Sequence, residues 1–191
     1  TSGTVRLEGR DLTSLTETEV AHLRLTRMGF VFQQAYFLEY LIVRDNVLLP
    51  ALKAAPDERT AIARVDALLA TFGIDHVGDH GITEVSGGQL QRASICRALA
   101  CEPAVLFADE PTGALNSATS AEVMDVLSQV HRSRTTIVMV THDVASASRA
   151  DRVVYLRDGW VVDERLLGPW DRERMSGREK DLLDWLRSLG F

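Results

Sequence analysis

The sequence predicts an α/β fold, a mostly parallel sheet with packed helices and an all-helical insertion. Three observations lead there. Apolar runs of strand length alternate with helical patterns from residue 104 to residue 156, the alternation that yields parallel strands with helices on the sheet. Residues 34–103 show helical spacing throughout. At 191 residues and 46% hydrophobic content, the chain can bury one full core with room for a subdomain.

In order, residues 5–7 read as a short strand before a polar turn at Gly9. Residues 16–25 carry a helical pattern that Thr16 and Glu19 can cap as a box. Residues 28–33 (MGFVFQ) form a strand ending at Gln33. Residues 41–72 are helical, with breaks predicted at Pro50 and Pro56 and the longest piece at 58–71. A glycine-rich connection, 73–81, leads to a helix that stops near Pro103. Strands are predicted at 104–108 and 135–140, and helices at 117–132 and 143–149. Residues 153–156 and 160–162 flank Asp158-Gly159, a hairpin signal. The tail has a capping box beginning at Ser176 and an apolar stripe of Leu182, Trp185, Leu186 and Leu189. The stripe reads as packing on the core or on a dimer neighbour. A membrane contact is the weaker reading, because the opposite face lacks the lysines an interfacial helix favours.

Composition narrows the function. The formal charge of −6 gives no basic surface for nucleic acid. Cys96 and Cys101, five apart, form neither a metal pair nor a disulfide framework and suit a reducing compartment. No apolar run approaches the roughly 18 residues of a membrane helix. His76 and His80 sit in a glycine-flanked loop and read as solvated.

The chemistry concentrates in a few runs. In Glu84-Val85-Ser86-Gly87-Gly88-Gln89-Leu90-Gln91-Arg92, Ser86 is placed to cap a helix, with Gln89 as its box partner. Such a helix starts with outward N–H groups and a partial positive charge that attract phosphate, and two glycines leave no side chain in the way. Asp109-Glu110 follows the apolar run 104–108, placing two carboxylates at the carboxyl end of a strand, where ligands of parallel sheets bind.

Taken together, these runs resemble the ATP-binding-cassette (ABC) family, whose signature is the SGGQ run and whose Walker B pair is Asp109-Glu110 followed by Pro111-Thr112-Gly113. The resemblance covers residues 1 to about 162 and implies a P-loop NTPase-like core with a helical subdomain. The divisions expected are 1–33 (partial core), 34–103 (helical subdomain with the signature), 104–165 (core with Walker B, D-loop and switch histidine) and 166–191 (tail helix). It implies ATP and Mg²⁺ as cofactors. Asp109 and Gln33, the Q-loop glutamine, would hold the metal; Glu110 would polarise the attacking water, and His142 would contact the γ-phosphate. Ser86, Gly87, Gly88 and Gln89 would bind nucleotide presented by another subunit. Ala114, Leu115 and Asn116 occupy the D-loop. There the family commonly ends in aspartate, so Asn116 is either a tolerated variant, the reading favoured, or a weakened link between paired sites. The runs at 28–33, 45–50 and 108–113 resemble the bacterial lipoprotein-release and macrolide-export branch. That branch pairs as homodimers or heterodimers beneath transmembrane permease subunits, peripheral at the cytoplasmic face of the bacterial inner membrane. Ala35-Tyr36-Phe37-Leu38 would lie in the groove for a membrane subunit, with core packing an almost equal alternative.

One motif is absent. Neither lysine, Lys53 or Lys180, sits in a G-x-x-x-x-G-K-[ST] loop. Thr1 to Val5 falls where the family has just passed that loop and its helix. The expectation is therefore a chain lacking its first strands and its phosphate loop, unable to bind ATP tightly in cis. Its exposed apolar surface would make it unstable as a monomer or bury against another copy. The rival is a naturally degenerate, non-hydrolysing cassette that acts as a binding partner; retention of Glu110 and His142 argues against it.

Overall fold

Short apolar strands and amphipathic helices form two compact units, residues 1–139 and 140–191. The computed structural model describes residues 3–171 and 175–191, with the backbone alone for Met175 and Ser176. In the first unit, the two-residue strands β1 (Arg6–Leu7) and β2 (Arg10–Asp11) pair around Glu8 and Gly9, both at positive φ. Helix α1 (Glu17–Arg27) begins at Thr16, whose hydroxyl and the Glu19 carboxylate close the predicted capping box. Strand β3 (Met28–Val31) pairs in parallel with β4 (Val105–Asp109), and β5 (Thr136–Val140) completes the order β3-β4-β5.

The two faces of this sheet differ. Gly29 pairs with Leu106 and Val31 with Ala108, and all four are buried. Ile137 and Met139 pack against the same core. Helices α4 (Gly87–Leu99) and α5 (Ser117–Arg132) contribute Ile95, Cys96, Val123 and Leu127 to it. Gly29 is needed there, because a Cβ would meet the Ala98 carbonyl at 2.7 Å. On the other face Phe30 stacks on Phe107 at 5.4 Å and on Phe32 at 6.2 Å, and Val138 is 47% exposed. Strand periodicity of two sorts these residues between the faces.

Two sequence expectations change here. Pro50 does not break its helix: α2 runs from Val43 to Ala54 with Pro50 inside. Proline forfeits one backbone bond, while Val43, Val47 and Ala51 are essentially fully buried along the same helix, and that packing decides. Pro56 does separate α2 from α3 (Glu58–Thr71). Strand β3 ends at Val31, so Gln33 stands in the loop two residues beyond it. The chain turns away from β4 there, held by buried Asn46, whose amide accepts from Leu38 N–H at 2.8 Å and donates to the carbonyls of Leu38, Leu41 and Ile42. The connection 73–81 contains a 3₁₀ turn, Asp75–Val77.

The second unit begins at the end of β5 and continues into the short helix α6 (Val144–Ala147). Strands β6 (Arg152–Arg157) and β7 (Trp160–Leu166) form the predicted hairpin, with Asp158 and Gly159 at φ 53 and 80, as a two-residue primed turn requires. Helix α7 (Met175–Ser188) lies on this hairpin. Leu182 and Leu186 are buried, Trp185 Nε1 donates to Asp163, and Arg165 donates to the Asp181 carbonyl. The tail stripe is thus packing within the unit. The Ser176 side chain, the expected cap, lies outside the described residues. Arg178 donates to five carbonyls, those of Ser148, Ala150, Leu167, Gly168 and Pro169, and ties the α6 exit to the chain after β7.

Candidate functional site

The signature run folds as its residues dictate. The Ser86 hydroxyl accepts from Gln89 N–H, and Gln89 Oε1 accepts from Ser86 N–H at 2.8 Å. A cap of this kind is worth about 1 kcal/mol. No acidic residue stands in the first turn of α4, so its positive end is not neutralised. Gly87 is exposed, and a Cβ there would touch only Leu115. A helix start that is open, capped and uncharged suits a phosphate group.

Asp109 closes β4 and is exposed at its carboxyl end. Glu110 follows at φ +44, a left-handed conformation that costs a non-glycine residue about 1 kcal/mol. The turn continues through Gly113 N–H to the Glu110 carbonyl (3.1 Å) and Leu115 N–H to the Thr112 carbonyl (3.0 Å). Gln33 lies directly over Gly113: a Cβ there would come within 3.0 Å of its Nε2. The Q-loop glutamine and the segment after the acidic pair therefore meet. The carboxylate of Asp109 and the amide oxygen of Gln33 are hard oxygen donors of the kind Mg²⁺ takes alongside phosphate oxygens. Among the described residues no group of three or more His, Cys, Asp or Glu stands together as a metal cage.

Asn116 is the N-cap of α5, its Oδ1 accepting from Thr119 N–H at 3.0 Å. Leu115 sits beside Gly87 and Thr119 beside Gly88, so the D-loop residues Ala114, Leu115 and Asn116 adjoin the signature turn within one unit. His142 belongs to the second unit. It is exposed between β5 and α6, next to Asp143, which caps α6 by accepting from Ser146 N–H at 2.8 Å.

Sequence reasoning missed the residues that hold these loops. Gln91 is buried and donates to the Phe32 carbonyl (3.1 Å). Arg97 donates to the carbonyls of Ala35 and Tyr36 and lies 4.5 Å over the Phe37 ring. One helix thus bears the signature at its start and clamps the Q-loop along its length. Burial pushes the Arg97 guanidinium below its ordinary pKa. A polar Gln91 and a cationic Arg97 on a helix with Cys96 and Ala98 buried were the available signal. His76, read as solvated, is exposed, but its Nε2 lies 3.4 Å from Gln89 Nε2. A cleft of about 340 Å³ opens beside the Q-loop, lined by Phe30, Phe32, Leu38, Leu49, Arg97 and Cys101 among others.

These features describe an ATP-binding-cassette core, and the chain belongs to the ABC transporter family, whose model matches residues 1–113. It is 43% identical over 169 residues to the macrolide export ATP-binding/permease protein MacB of Rhodopseudomonas palustris (strain HaA2), covering 88% of this chain and 26% of the relative. It is 38% identical over 173 residues to the bacitracin export ATP-binding protein BceA of Halalkalibacterium halodurans, covering 90% of this chain and 68% of the relative. The chain therefore spans about a quarter of the length of the macrolide exporters it matches. Among solved structures it resembles the dimeric bacterial ABC transporter cassette MJ0796, with a TM-score of 0.78 and 34% identity over 89% of this chain and 75% of that one. The same cassette in a post-hydrolysis state bound to ADP and Pi matches with a TM-score of 0.77.

Proposed function

We propose that the chain works as the ATP-binding and ATP-hydrolysing part of an exporter-type ABC transporter, and that it supplies the capping half of a shared nucleotide site. The observation that carries this is the joining of three elements in one unit. The capped signature turn adjoins the D-loop, and Gln33 lies over Gly113 just after Asp109 and Glu110. In this reading Ser86, Gly87, Gly88 and Gln89 bind the phosphates of an ATP held by a partner cassette. Asp109 and Gln33 hold Mg²⁺. Glu110 orients and polarises the attacking water, the step phosphoryl transfer needs more than covalent chemistry, and His142 contacts the γ-phosphate. Ala114, Leu115 and Asn116 face the partner, so a homodimer or heterodimer of cassettes is the working form. The cleft beside Phe32 and Leu38 receives a transmembrane permease subunit, which puts the chain at the cytoplasmic face of the bacterial inner membrane.

The 191 residues hold no G-x-x-x-x-G-K-[ST] loop. By themselves they therefore lack the backbone cradle and lysine that grip the β- and γ-phosphates, and the chain alone is not expected to bind ATP tightly in cis. The test compares ATP binding and hydrolysis by this chain with a version extended at its N-terminus by a segment bearing the phosphate loop. The expected result is no hydrolysis by the first and turnover by the second that Glu110→Gln abolishes. Turnover by the 191 residues alone, lost on Glu110→Gln, would overturn the cis argument. An extended chain that binds ATP without hydrolysing it would favour a non-hydrolysing partner cassette instead.

A further inference from the structure

The second signature glycine is closed off from within its own chain. A Cβ built on Gly88 would stand 2.3 Å from the γ-methyl of Thr119 and 3.7 Å from its Cβ, whereas at Gly87 the nearest contact would be an ordinary 3.4 Å to Leu115. Gly88 is buried and Gly87 exposed. Thr119 is the third residue of α5, and its backbone N–H is the one that Asn116 caps. The same residue therefore touches the D-loop through its backbone and the signature through its methyl. Arg92 and Glu122, paired at 3.2 Å, continue the α4–α5 contact one turn further on.

We infer that Thr119 is a positioning residue that yokes the D-loop to the signature turn, so that Asn116 and Ser86-Gly87-Gly88-Gln89 move as one body. Gly88 is then required by an intrachain contact as well as by any nucleotide. Thr119 touches no reacting group; it sets where the α4 N-terminus stands relative to the D-loop. That this matters for hydrolysis rests on the function proposed above. That Thr119 fixes Gly88 does not, and the experiment reads the contact without nucleotide.

The sterics give an ordered test. Threonine in a helix has two accessible χ1 rotamers and can partly swing its methyl aside, whereas valine is held to one. Serine has no methyl. In thermal melts of the full chain, Gly88→Ala is expected to lower the melting temperature by about 5 °C, the size of a tight overpacking defect in a chain of this length. Gly87→Ala should shift it by no more than about 2 °C. Adding Thr119→Ser to Gly88→Ala should restore most of the loss, and adding Thr119→Val should deepen it. A Gly88→Ala chain that melts like Gly87→Ala, or that serine fails to rescue, overturns the inference. Should Gly88→Ala not fold, Thr119→Ser alone decides. Backbone amide exchange at Gln89 and Leu90 should quicken about fivefold on losing the methyl, and Thr119→Val should leave it unchanged; equal exchange in all three chains overturns the yoke.

Discussion

The three-stranded sheet has one finished face, packed against α4 and α5, and one open face, on which large apolar side chains are only partly buried. Against the finished face lie α4 and α5, and on their ends stand the signature, the Q-loop clamp and the D-loop. Side chains pin the loops there: Ser86 and Gln89 close the signature turn, Asn46, Gln91 and Arg97 hold the Q-loop segment, and Asn116 caps α5. On the other face Phe30 and Phe107 are half-buried and stacked, while Phe32 and Val138 are exposed. The contrast teaches that the placement of the signature turn beside the D-loop and of Gln33 over Gly113 is intrinsic to these residues. Val138 and Phe32, exposed on the other face, are where the proposed pairing of copies can be tested.

The sharpest way to break that contrast is to truncate neighbouring residues of β4 that point to opposite faces. Leu106 is fully buried on the finished side, and Leu106→Ala should cost about 3 kcal/mol by urea denaturation. Phe107 is only half-buried on the open side, and Phe107→Ala should cost under about 1.5 kcal/mol despite removing a larger side chain. Equal costs would mean that the open face is as well packed as the other. The next effect concerns association. Val138→Lys puts a charge on the open face, where a strand position 47% exposed should tolerate it. The parent chain is expected to self-associate in light scattering and the variant to shift toward monomer. A parent that runs as a clean monomer with a cooperative melt would remove the case for a copy on this face.

Much of this was legible beforehand because local rules agree with the fold. Thr16 with Glu19 and Ser86 with Gln89 announce their capping boxes, and Asp158-Gly159 announces the hairpin. Ser117–Arg132 and Glu58–Thr71 are helices over the predicted spans. What failed was decided by tertiary contacts. Pro50 reads as a breaker until Val47 and Ala51 are known to be buried around it. The strand at MGFVFQ stops early because the loop after it is held by Asn46 of α2, eight residues past Leu38, and by Gln91 of α4, 59 residues past Phe32. In the candidate site, residue types and order were readable, and the joining of Gln33 to Gly113 and of Gly88 to Thr119 was not. Such contacts span 80 and 31 residues of chain, and no periodicity encodes them. The Arg178 hub was equally hidden, since an arginine near a helix start gives no sign that it will hold five carbonyls.

The smallest effect probes the finished face without disturbing it. Cys96 lies inside α4, fully buried, and burial pushes its thiol up to about 12. Cys101 lines the cleft beside the Q-loop, partly exposed, and burial raises its thiol as well. A raised thiol pKa means less thiolate at any working pH, and only the thiolate attacks an alkylating agent. At pH 8 a group near 12 is ionised in roughly one part in ten thousand, and for Cys96 that small fraction is also walled off by the core. Iodoacetamide at pH 8 should therefore label Cys101 first, slowly, and Cys96 only on opening of the unit. Raising the pH should speed Cys101 toward its own pKa while leaving Cys96 limited by opening. Peptide mapping by mass spectrometry separates the two sites. If Cys96 is labelled in native buffer as fast as Cys101, then α4 opens without denaturant and the finished face is not the rigid platform its packing implies. If Cys96 stays protected in the parent and gains reactivity in Leu106→Ala, the same thiol reports how tightly the covered side of the sheet is closed.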